Sequence, residues 1–433
     1  MLVASVPRPV AVVARWVRRV LIVLLIATVQ VALVVAAVAA APATAPGVAI
    51  AVAVGASVAL VLGWTWLRSR KRPDRRGPFA LAGIALAVAT VMTMLVVMPS
   101  APVTMTASPG ALPLGDGTFL ATRTVEAGVP SDDAPIVAVH GGPGVPWTAR
   151  ERVVLQRLAT DRDVVIYDQI GAGASARLDD PSGYTFERAV RDLEAVVDAM
   201  GAARVTLLGH SWGAQVAVGY AVRHPDRVDG LVFLAPGAVP LDGVSLPPGS
   251  PQRRLSPGAQ VALYGLALQP RNLFTYALTV VDPRAAHRFV PDAEADARYR
   301  ELYLAAAAGL VCDGHEVPDA PERLGHYANH GPGVEPGHPT GVTASSLARL
   351  AEHPLLILRP ECDYLDAGIA DDYARELPLA RVTDVADSGH ALLDSTSSRS
   401  PHPARTSPRV DDPGRRSCVV GSRCDQPKFS AVS

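Results

Sequence analysis

The sequence of 433 residues is poor in lysine, in cysteine and in net charge. Its two lysines are Lys71 and Lys428, so arginine supplies nearly all of the positive charge, which we attribute to genomic composition. None of the four cysteines has the spacing of zinc ligands, and we expect no metal site and no cofactor. The cysteines are Cys312, Cys362, Cys418 and Cys424.

The formal net charge of −1 conceals two parts of opposite sign. Residues 1–99 carry ten basic residues and one acidic residue, a net charge of +9, and the remainder carries −10. Nucleic acid binding needs a clustered cationic face on a folded domain, so the acidic part argues against nucleic acid as a partner.

Long hydrophobic runs are concentrated in the first hundred residues. Residues 20–41, 48–67 and 79–98 contain no charged side chain. Each run is long enough for a helix that crosses the ~30 Å hydrocarbon core of a bilayer. We therefore predict a membrane region at residues 1–99 with three transmembrane helices.

Basic residues predict the orientation of these helices. They precede the first run and fill the loop between the second and third runs, and the positive-inside rule places both segments in the cytoplasm. The domain after residue 99 would then lie outside the cell membrane. A cleavable signal peptide is an alternative for the first run, but its apolar stretch exceeds the usual ~7–15 residues. Cleavage would leave the domain on the same side.

The remaining chain alternates short apolar runs with helical patterns, which is typical of a parallel sheet covered by helices. The runs lack polar alternation, as expected for strands buried on both faces. They are residues 135–140, 163–168, 205–209, 228–234 and 354–359, followed by 381–385. Helices are predicted at residues 149–159, 185–200 and 212–223.

Composition divides this region further. Residues 100–113 are rich in Pro, Ser and Thr and form a predicted linker, and a folded α/β domain is predicted at 114–394. Within it, residues from about 237 to 346 lose the strand pattern and become mostly helical, which indicates a cap over the carboxyl edge of the sheet. Residues 395–433 are polar and without pattern, and we predict a disordered tail.

Residues 209–213 read Gly-His-Ser-Trp-Gly, a G-x-S-x-G motif between a predicted strand and a predicted helix. In this nucleophile elbow, the turn is so tight that small residues must flank the serine, whose hydroxyl projects into the cleft. The motif in this context predicts an α/β-hydrolase fold with Ser211 as the nucleophile.

A serine hydroxyl needs a base that is oriented by an acid, and in this fold they follow it in the order acid, then histidine. Asp363 lies just after the run at 354–359, and Glu361 and Asp366 are competing candidates. His390 follows the predicted strand at 381–385. We predict a triad of Ser211, Asp363 and His390.

Two backbone N–H groups are needed to stabilise the oxyanion. One is expected from Trp212, and the other from the Gly-rich loop at residues 140–144, which reads His-Gly-Gly-Pro-Gly. We interpret His140 and His210 as scaffold residues. His326 and His330 could share a helix face, but without acidic partners they do not predict a metal site.

Three motifs together resemble the proline iminopeptidase branch of the α/β-hydrolase peptidases. They are HGGPG at 140–144, DQIGAGAS at 168–175 and GHSWG at 209–213. The resemblance covers roughly residues 114–393. It implies the same triad, an oxyanion hole formed by the amides of Gly142 and Trp212, and release of an N-terminal residue from small peptides. It also implies that acids of the cap bind the free amine of the substrate, with Glu294, Glu301 and Glu316 as candidates.

The sequence departs from this family after the histidine. Members continue with a final helix packed on the sheet, whereas residues 391–394 run directly into the Ser/Pro/Arg-rich tail. We hypothesise that residues 395–433 replace that helix through a frame change or truncation.

The sequence thus predicts a membrane-anchored serine hydrolase that acts on a small peptide. A carboxylesterase or lipid hydrolase is the alternative within enzymes. A non-catalytic membrane receptor that keeps the fold is an alternative of another class, which the complete triad disfavours and the unusual C-terminus favours.

Overall fold

The computed structural model describes residues 110–129, 132–242, 249–331 and 339–395, with a few isolated positions before residue 64. The three predicted transmembrane segments and the predicted tail after residue 395 lie almost entirely outside these residues. Within the described part of the chain, no helix has both the length and the apolar character required to span a bilayer.

A seven-stranded sheet forms the centre of the described domain, in the order β3-β5-β4-β6-β7-β8-β9. All neighbouring pairs are parallel except β3 and β5, which are antiparallel. A separate two-stranded antiparallel ladder joins β1 and β2. The strands are β1 (Leu112–Pro113), β2 (Phe119–Leu120), β3 (Thr122–Val125), β4 (Ile136–Val139), β5 (Val164–Tyr167), β6 (Val205–His210), β7 (Val228–Leu234), β8 (Leu355–Pro360) and β9 (Ala380–Val385). The expectation of a mostly parallel α/β sheet is confirmed.

Helices cover the sheet and fill the interval between β7 and β8. Their bounds are α1 (Ala149–Gln156), α2 (Phe186–Met200), α3 (Trp212–Ala221), α4 (Pro257–Ala267), α5 (Pro270–Val281), α6 (Pro283–Phe289), α7 (Asp292–Ala306), α8 (His326–His330), α9 (Ala344–Leu347), α10 (Gly368–Glu376) and α11 (Leu392–Ser395). Short 3₁₀ helices lie at Pro181–Gly183, Pro225–Arg227, Pro251–Arg254, Ala307–Leu310 and Ala348–Leu350. Helices α4 to α9 therefore belong to the insertion that the sequence predicts as a cap.

The sheet is buried because its central strands carry apolar side chains on both faces. All four residues of β5 are buried, and β4 exposes none of its side chains fully. Helix α2 begins at the N-cap Thr185, whose hydroxyl accepts the Arg188 amide, and ends at Gly201 with a φ of 65°. Its buried residues recur at helical spacing, so one face of the helix packs on the core.

The chain after His390 forms α11, a single helical turn. Leu392 and Leu393 pack in the core cluster that also contains Trp147 and Leu155. Whether residues beyond 395 replace a final helix stays a hypothesis, because they lie outside the described residues.

Candidate active site

The turn between β6 and α3 has the backbone geometry of a nucleophile elbow. Ser211 has a φ of 51° and a ψ of −117°, in a region that L-residues rarely adopt. A Cβ added to Gly209 would lie 2.6 Å from the Ala214 Cα, and one added to Gly213 would lie 2.1 Å from the Val139 carbonyl oxygen. Only glycine fits on either side of the serine, which explains the G-x-S-x-G pattern in this turn.

Asp363 and His390 form a hydrogen-bonded pair at the carboxyl ends of β8 and β9. The distance from His390 Nδ1 to Asp363 Oδ1 is 2.9 Å, and the Leu365 amide donates to the same oxygen at 3.0 Å. Burial raises the pKa of Asp363, but the charge of His390 and its hydrogen bond more than offset this and hold the pKa below its ordinary value. The carboxylate therefore stays ionised and accepts a hydrogen bond from the protonated Nδ1 of His390.

Neither competing acid contacts the imidazole. Glu361 Oε2 accepts the Asp387 amide at 2.8 Å, and Asp366 Oδ1 accepts the Gly368 amide at 2.8 Å. Both carboxylates therefore accept hydrogen bonds from nearby backbone amides and not from His390. Among the three acids considered from the sequence, Asp363 is the one hydrogen-bonded to His390.

His390 and Ser211 both line the same cavity. No hydrogen bond between the Ser211 hydroxyl and His390 is present among the described residues. His390 Nε2 instead lies 3.4 Å from the Tyr364 hydroxyl, whose ring is 4.4 Å from the imidazole ring. Catalytic hydrogen bonds are often long before substrate binds, so this geometry is compatible with proton transfer in a complex.

His210 helps to position His390 and does not itself take the place of the base. Its Nε2 lies 3.0 Å from the His390 carbonyl oxygen, to which it donates, and its ring is 4.9 Å from the His390 ring. Burial lowers the pKa of His210 to about 3, and the nearby charge of His390 acts in the same direction. The neutral ring is therefore a positioning group for the loop that carries His390.

The glycine-rich loop after β4 lies directly against the elbow. A Cβ on Gly141 would be 3.1 Å from the Ser211 Cβ, and Gly142 has a φ of 113°. A side chain at Gly142 would meet the Val145 amide nitrogen at 2.6 Å. Neither the Gly142 amide nor the Trp212 amide donates to an acceptor within the described segments. Both N–H groups are therefore available for an oxyanion.

Gln169 connects this loop to helix α3. Its amide N–H donates to His140 Nε2 at 2.9 Å, so His140 Nδ1 carries the proton and donates to the Gly141 carbonyl oxygen. The Gln169 side chain donates to the His140 carbonyl oxygen and accepts the Trp212 indole N–H. Burial lowers the pKa of His140 to about 4, consistent with a neutral ring. Sequence reasoning did not assign Gln169 a role, although it lies in the motif at 168–175.

A cavity of about 540 Å³ opens above Ser211, beneath the cap. The three acids expected to hold a substrate amine are not part of its lining. Glu294 is buried, but Arg271 and Arg298 bind its carboxylate at 2.7 to 2.8 Å. Glu301 and Glu316 are exposed to solvent. The three acids therefore lie away from this cavity, and their role in amine binding stays a prediction.

Two other acids, Glu151 and Asp394, do line the cavity. Glu151 is the N3 residue of a capping box in α1, where its carboxylate accepts the Thr148 amide at 2.8 Å. The Thr148 hydroxyl lies 3.2 and 3.3 Å from the two Asp394 oxygens, so Thr148 bridges the two acids. Sequence reasoning missed both residues.

A disulfide bond between Cys312 and Cys362 joins the cap to the loop that carries Asp363. Such bonds persist in oxidising compartments. Cys312, His315 and Asp387 also lie within ligand distance of one another, but the sulfur is already in the disulfide. The remaining cysteines lie outside the described residues.

Comparisons with known proteins agree with this geometry. The cis-3-alkyl-4-alkyloxetan-2-one decarboxylase of Shewanella oneidensis is 28% identical over 271 residues, which are 61% of this chain and 78% of that protein. The proline iminopeptidase of Heyndrickxia coagulans is 36% identical over 102 residues, 24% of this chain. That match spans 35% of the Heyndrickxia enzyme. Names of different activities therefore occur among the relatives.

A solved structure and a family model are also similar to this chain. The crystal structure of a proline iminopeptidase from Mycobacterium smegmatis covers 65% of this chain and 91% of its own, at 20% identity and a TM-score of 0.41. Residues 134–395, more than half of the chain, match the family described as the alpha/beta hydrolase fold. The chain belongs to the α/β-hydrolase fold family.

Proposed function

We propose that the protein is a serine hydrolase that cleaves an acyl bond, with Ser211 as nucleophile, His390 as base and Asp363 as the acid that orients the base. One observation carries this proposal. Asp363 is hydrogen-bonded to His390 at 2.9 Å, and His390 and the elbow serine line the same cavity. Nucleophile, base and orienting acid are the parts that acyl transfer needs.

In the proposed mechanism, the Ser211 hydroxyl attacks the substrate carbonyl and its proton passes to His390 Nε2. The N–H groups of Gly142 and Trp212 stabilise the oxyanion of the tetrahedral intermediate. His390 then gives the proton to the leaving group, which departs as an amine or an alcohol. Water attacks the acyl-enzyme with His390 again acting as base, and this releases the acid product and the free serine.

We further propose that the substrate is a small peptide from which an N-terminal residue is released. The motif resemblance and the proline iminopeptidases among the relatives support this choice. An ester or lipid hydrolase is the second candidate, because apolar side chains such as Leu263, Leu302 and Leu310 line the cavity. We also keep the proposal that the chain is anchored in the cell membrane with this domain outside. The Cys312–Cys362 disulfide supports that location.

A substrate panel tests the peptidase proposal. The full chain, solubilised in mild detergent, is assayed with prolyl and alanyl 4-nitroanilides and with short-chain 4-nitrophenyl esters, and Ser211 is labelled with a fluorophosphonate. We expect labelling, together with kcat/KM values for the nitroanilides well above those of matched N-acetylated nitroanilides. Turnover of esters alone would favour the second candidate. A chain that neither labels nor turns over any substrate would be the non-catalytic member considered from the sequence.

The substrate amine would need an anionic partner, and we propose Glu151 with Asp394 beside it. Glu151 is only 7% exposed, and the adjacent Arg152 is bound by Asp168 at 2.5 Å. Burial raises the pKa of Glu151 to about 7, with the charge of Asp394 acting in the same direction and Arg152 opposing it. A bound ammonium group would relieve this repulsion, since an opposite charge favours the ionised carboxylate.

Glu151→Gln is expected to weaken binding of substrates that carry a free amine. Gln keeps the capping box, so α1 should remain intact. We expect the KM ratio of alanyl to propionyl 4-nitroanilide to rise about tenfold or more, as for loss of a charged hydrogen bond. In the wild type, the same ratio should rise as the pH falls below about 7, where Glu151 becomes protonated.

The exposed Glu301→Gln is the matched control, and its KM ratio should equal that of the wild type. An equal increase of both KM values in Glu151→Gln would show that this residue does not recognise the amine.

A further inference from the structure

Helices α4 and α5 of the cap present an apolar surface to solvent. The exposed side chains recur at positions i, i+3 and i+7 on each helix, so each helix shows one continuous apolar face. We call this surface the apolar face of the cap, and its relative exposures range from 44% to 73%. It consists of Val261, Tyr264, Leu268, Leu273, Tyr276 and Val280.

The two helices are also nearly free of charge. From residue 256 to residue 281, Arg271 is the one charged side chain in the sequence. Its guanidinium is 4% exposed and is bound to Glu294 at 2.7 Å, so it does not reach the apolar face. Covering the face would therefore require no desolvation of a charge, which is the largest obstacle to burial in hydrocarbon.

The apolar face borders the opening of the catalytic cavity. Tyr264, Leu268, Leu273 and Tyr276 are exposed and also line the cavity. Monomeric soluble proteins rarely expose a contiguous apolar patch of this kind unless it has a binding role. Whatever covers this face therefore lies at the entrance through which substrate reaches Ser211.

We propose that the occupant of this face is the surface of a lipid bilayer, into which the two helices insert shallowly. The anchor proposed above at residues 1–99 would hold the domain beside a membrane, and the docking proposal rests on it. The ten residues 100–109 that precede the described domain extend at most about 36 Å, so the face stays within reach of the surface. Tyr264 and Tyr276 have the amphipathic rings that favour the boundary between headgroups and acyl chains.

Docking of this kind goes beyond acyl hydrolysis and is independent of it. The cavity opens toward the acyl chains, so apolar molecules dissolved in the bilayer enter without crossing water. A second copy of the chain is the competing occupant. Between residues 256 and 281 the only charge is the buried Arg271, and a face without charged groups of its own favours lipid over a charged protein partner.

Site-specific fluorescence tests the proposal in the full chain. Val261→Cys is labelled with the polarity-sensitive fluorophore NBD after Cys418 and Cys424 are replaced with serine, and the protein is reconstituted in phosphatidylcholine vesicles. We expect a blue shift of the NBD emission. We also expect nitroxide-labelled lipids to lower the emission intensity, because a shallowly inserted helix lies about 5–10 Å deep, close to the nitroxide groups. Val129→Cys, at a position 64% exposed outside the cap, is the matched control and should show neither change.

The outcomes separate the occupants. Introducing Leu268→Glu into the labelled chain should reverse both the shift and the nitroxide quenching. A blue shift that depends on protein density and is insensitive to nitroxide lipid would identify a second copy and overturn the proposal. Emission at Val261 identical to that at Val129 would overturn it as well. Neither reading depends on hydrolysis, so the docking proposal and the proposed function fail independently.

Discussion

Ser211→Ala is expected to abolish hydrolysis, with kcat reduced by about 10⁶-fold, as found when a serine nucleophile is removed from an intact triad. Alanine has no oxygen to attack the carbonyl, and the remaining oxyanion amides can stabilise only a slow attack by water. The substitution is small, and the strained backbone at φ 51° loses no packing group. The kcat on the best substrate of the panel, with fluorophosphonate labelling, measures the effect.

Ser345→Ala is the control, because this serine is exposed in α9, away from the cavity. It should keep wild-type kcat and labelling. If Ser211→Ala retained substantial kcat while its thermal unfolding matched the wild type, another group would perform the attack, and the proposed mechanism would be wrong.

Asp363→Asn is expected to lower kcat by about 10⁴-fold with little change in thermal stability, as in other triads. The carboxylate fixes the proton on His390 Nδ1 through the 2.9 Å hydrogen bond and leaves Nε2 as the acceptor. An asparagine amide can donate to Nδ1 instead, which moves the proton to Nε2 and blocks its role as base. The kcat at saturating substrate, together with the unfolding temperature, checks both parts of the expectation.

Asp366→Asn is the matched control for this experiment. Asp366 accepts the Gly368 amide at the start of α10, and asparagine performs that capping role nearly as well. Its kcat should stay within a few fold of the wild type. A large loss of kcat at Asp366 with a small loss at Asp363 would reverse the assignment of the acid.

The central strands and the elbow were predictable because each depends on local pattern. The run at 228–234 has no polar alternation and coincides with β7, Val228–Leu234. The G-x-S-x-G turn follows from sterics alone, because Val139 and Ala214 leave room for hydrogen only at the two glycines. Asp363 and His390 were expected to be neighbours because parallel strands end at the same edge.

Other features depend on tertiary contacts that no local pattern contains. Strands β1 and β2 have two residues each, too short for a periodic signal. Glu151 lies three residues after Thr148, which is the spacing of a capping box. In the sequence, its presence is therefore fully explained by a role at the N-terminus of a helix. Only folding brings Asp394, 246 residues from Thr148, to the same wall of the cavity.

The acids of the cap show the opposite case. Glu294 has the residue type that the resemblance implies for amine recognition. Its neighbours at Arg271 and Arg298 neutralise it and hold the cap helices together. Residue type in a helical insertion does not indicate which side chains face inward, so the expected amine site could not be located before the structure was known.

The disulfide between Cys312 and Cys362 limits how far the cap can separate from the sheet. One end of the cap is covalently fixed beside Asp363, so the cap can separate from the sheet only by pivoting about that point. The widest gap would then form on the far side of the cavity from the disulfide. We therefore expect the proposed hydrolysis to act on chain ends and short molecules rather than within a long polypeptide.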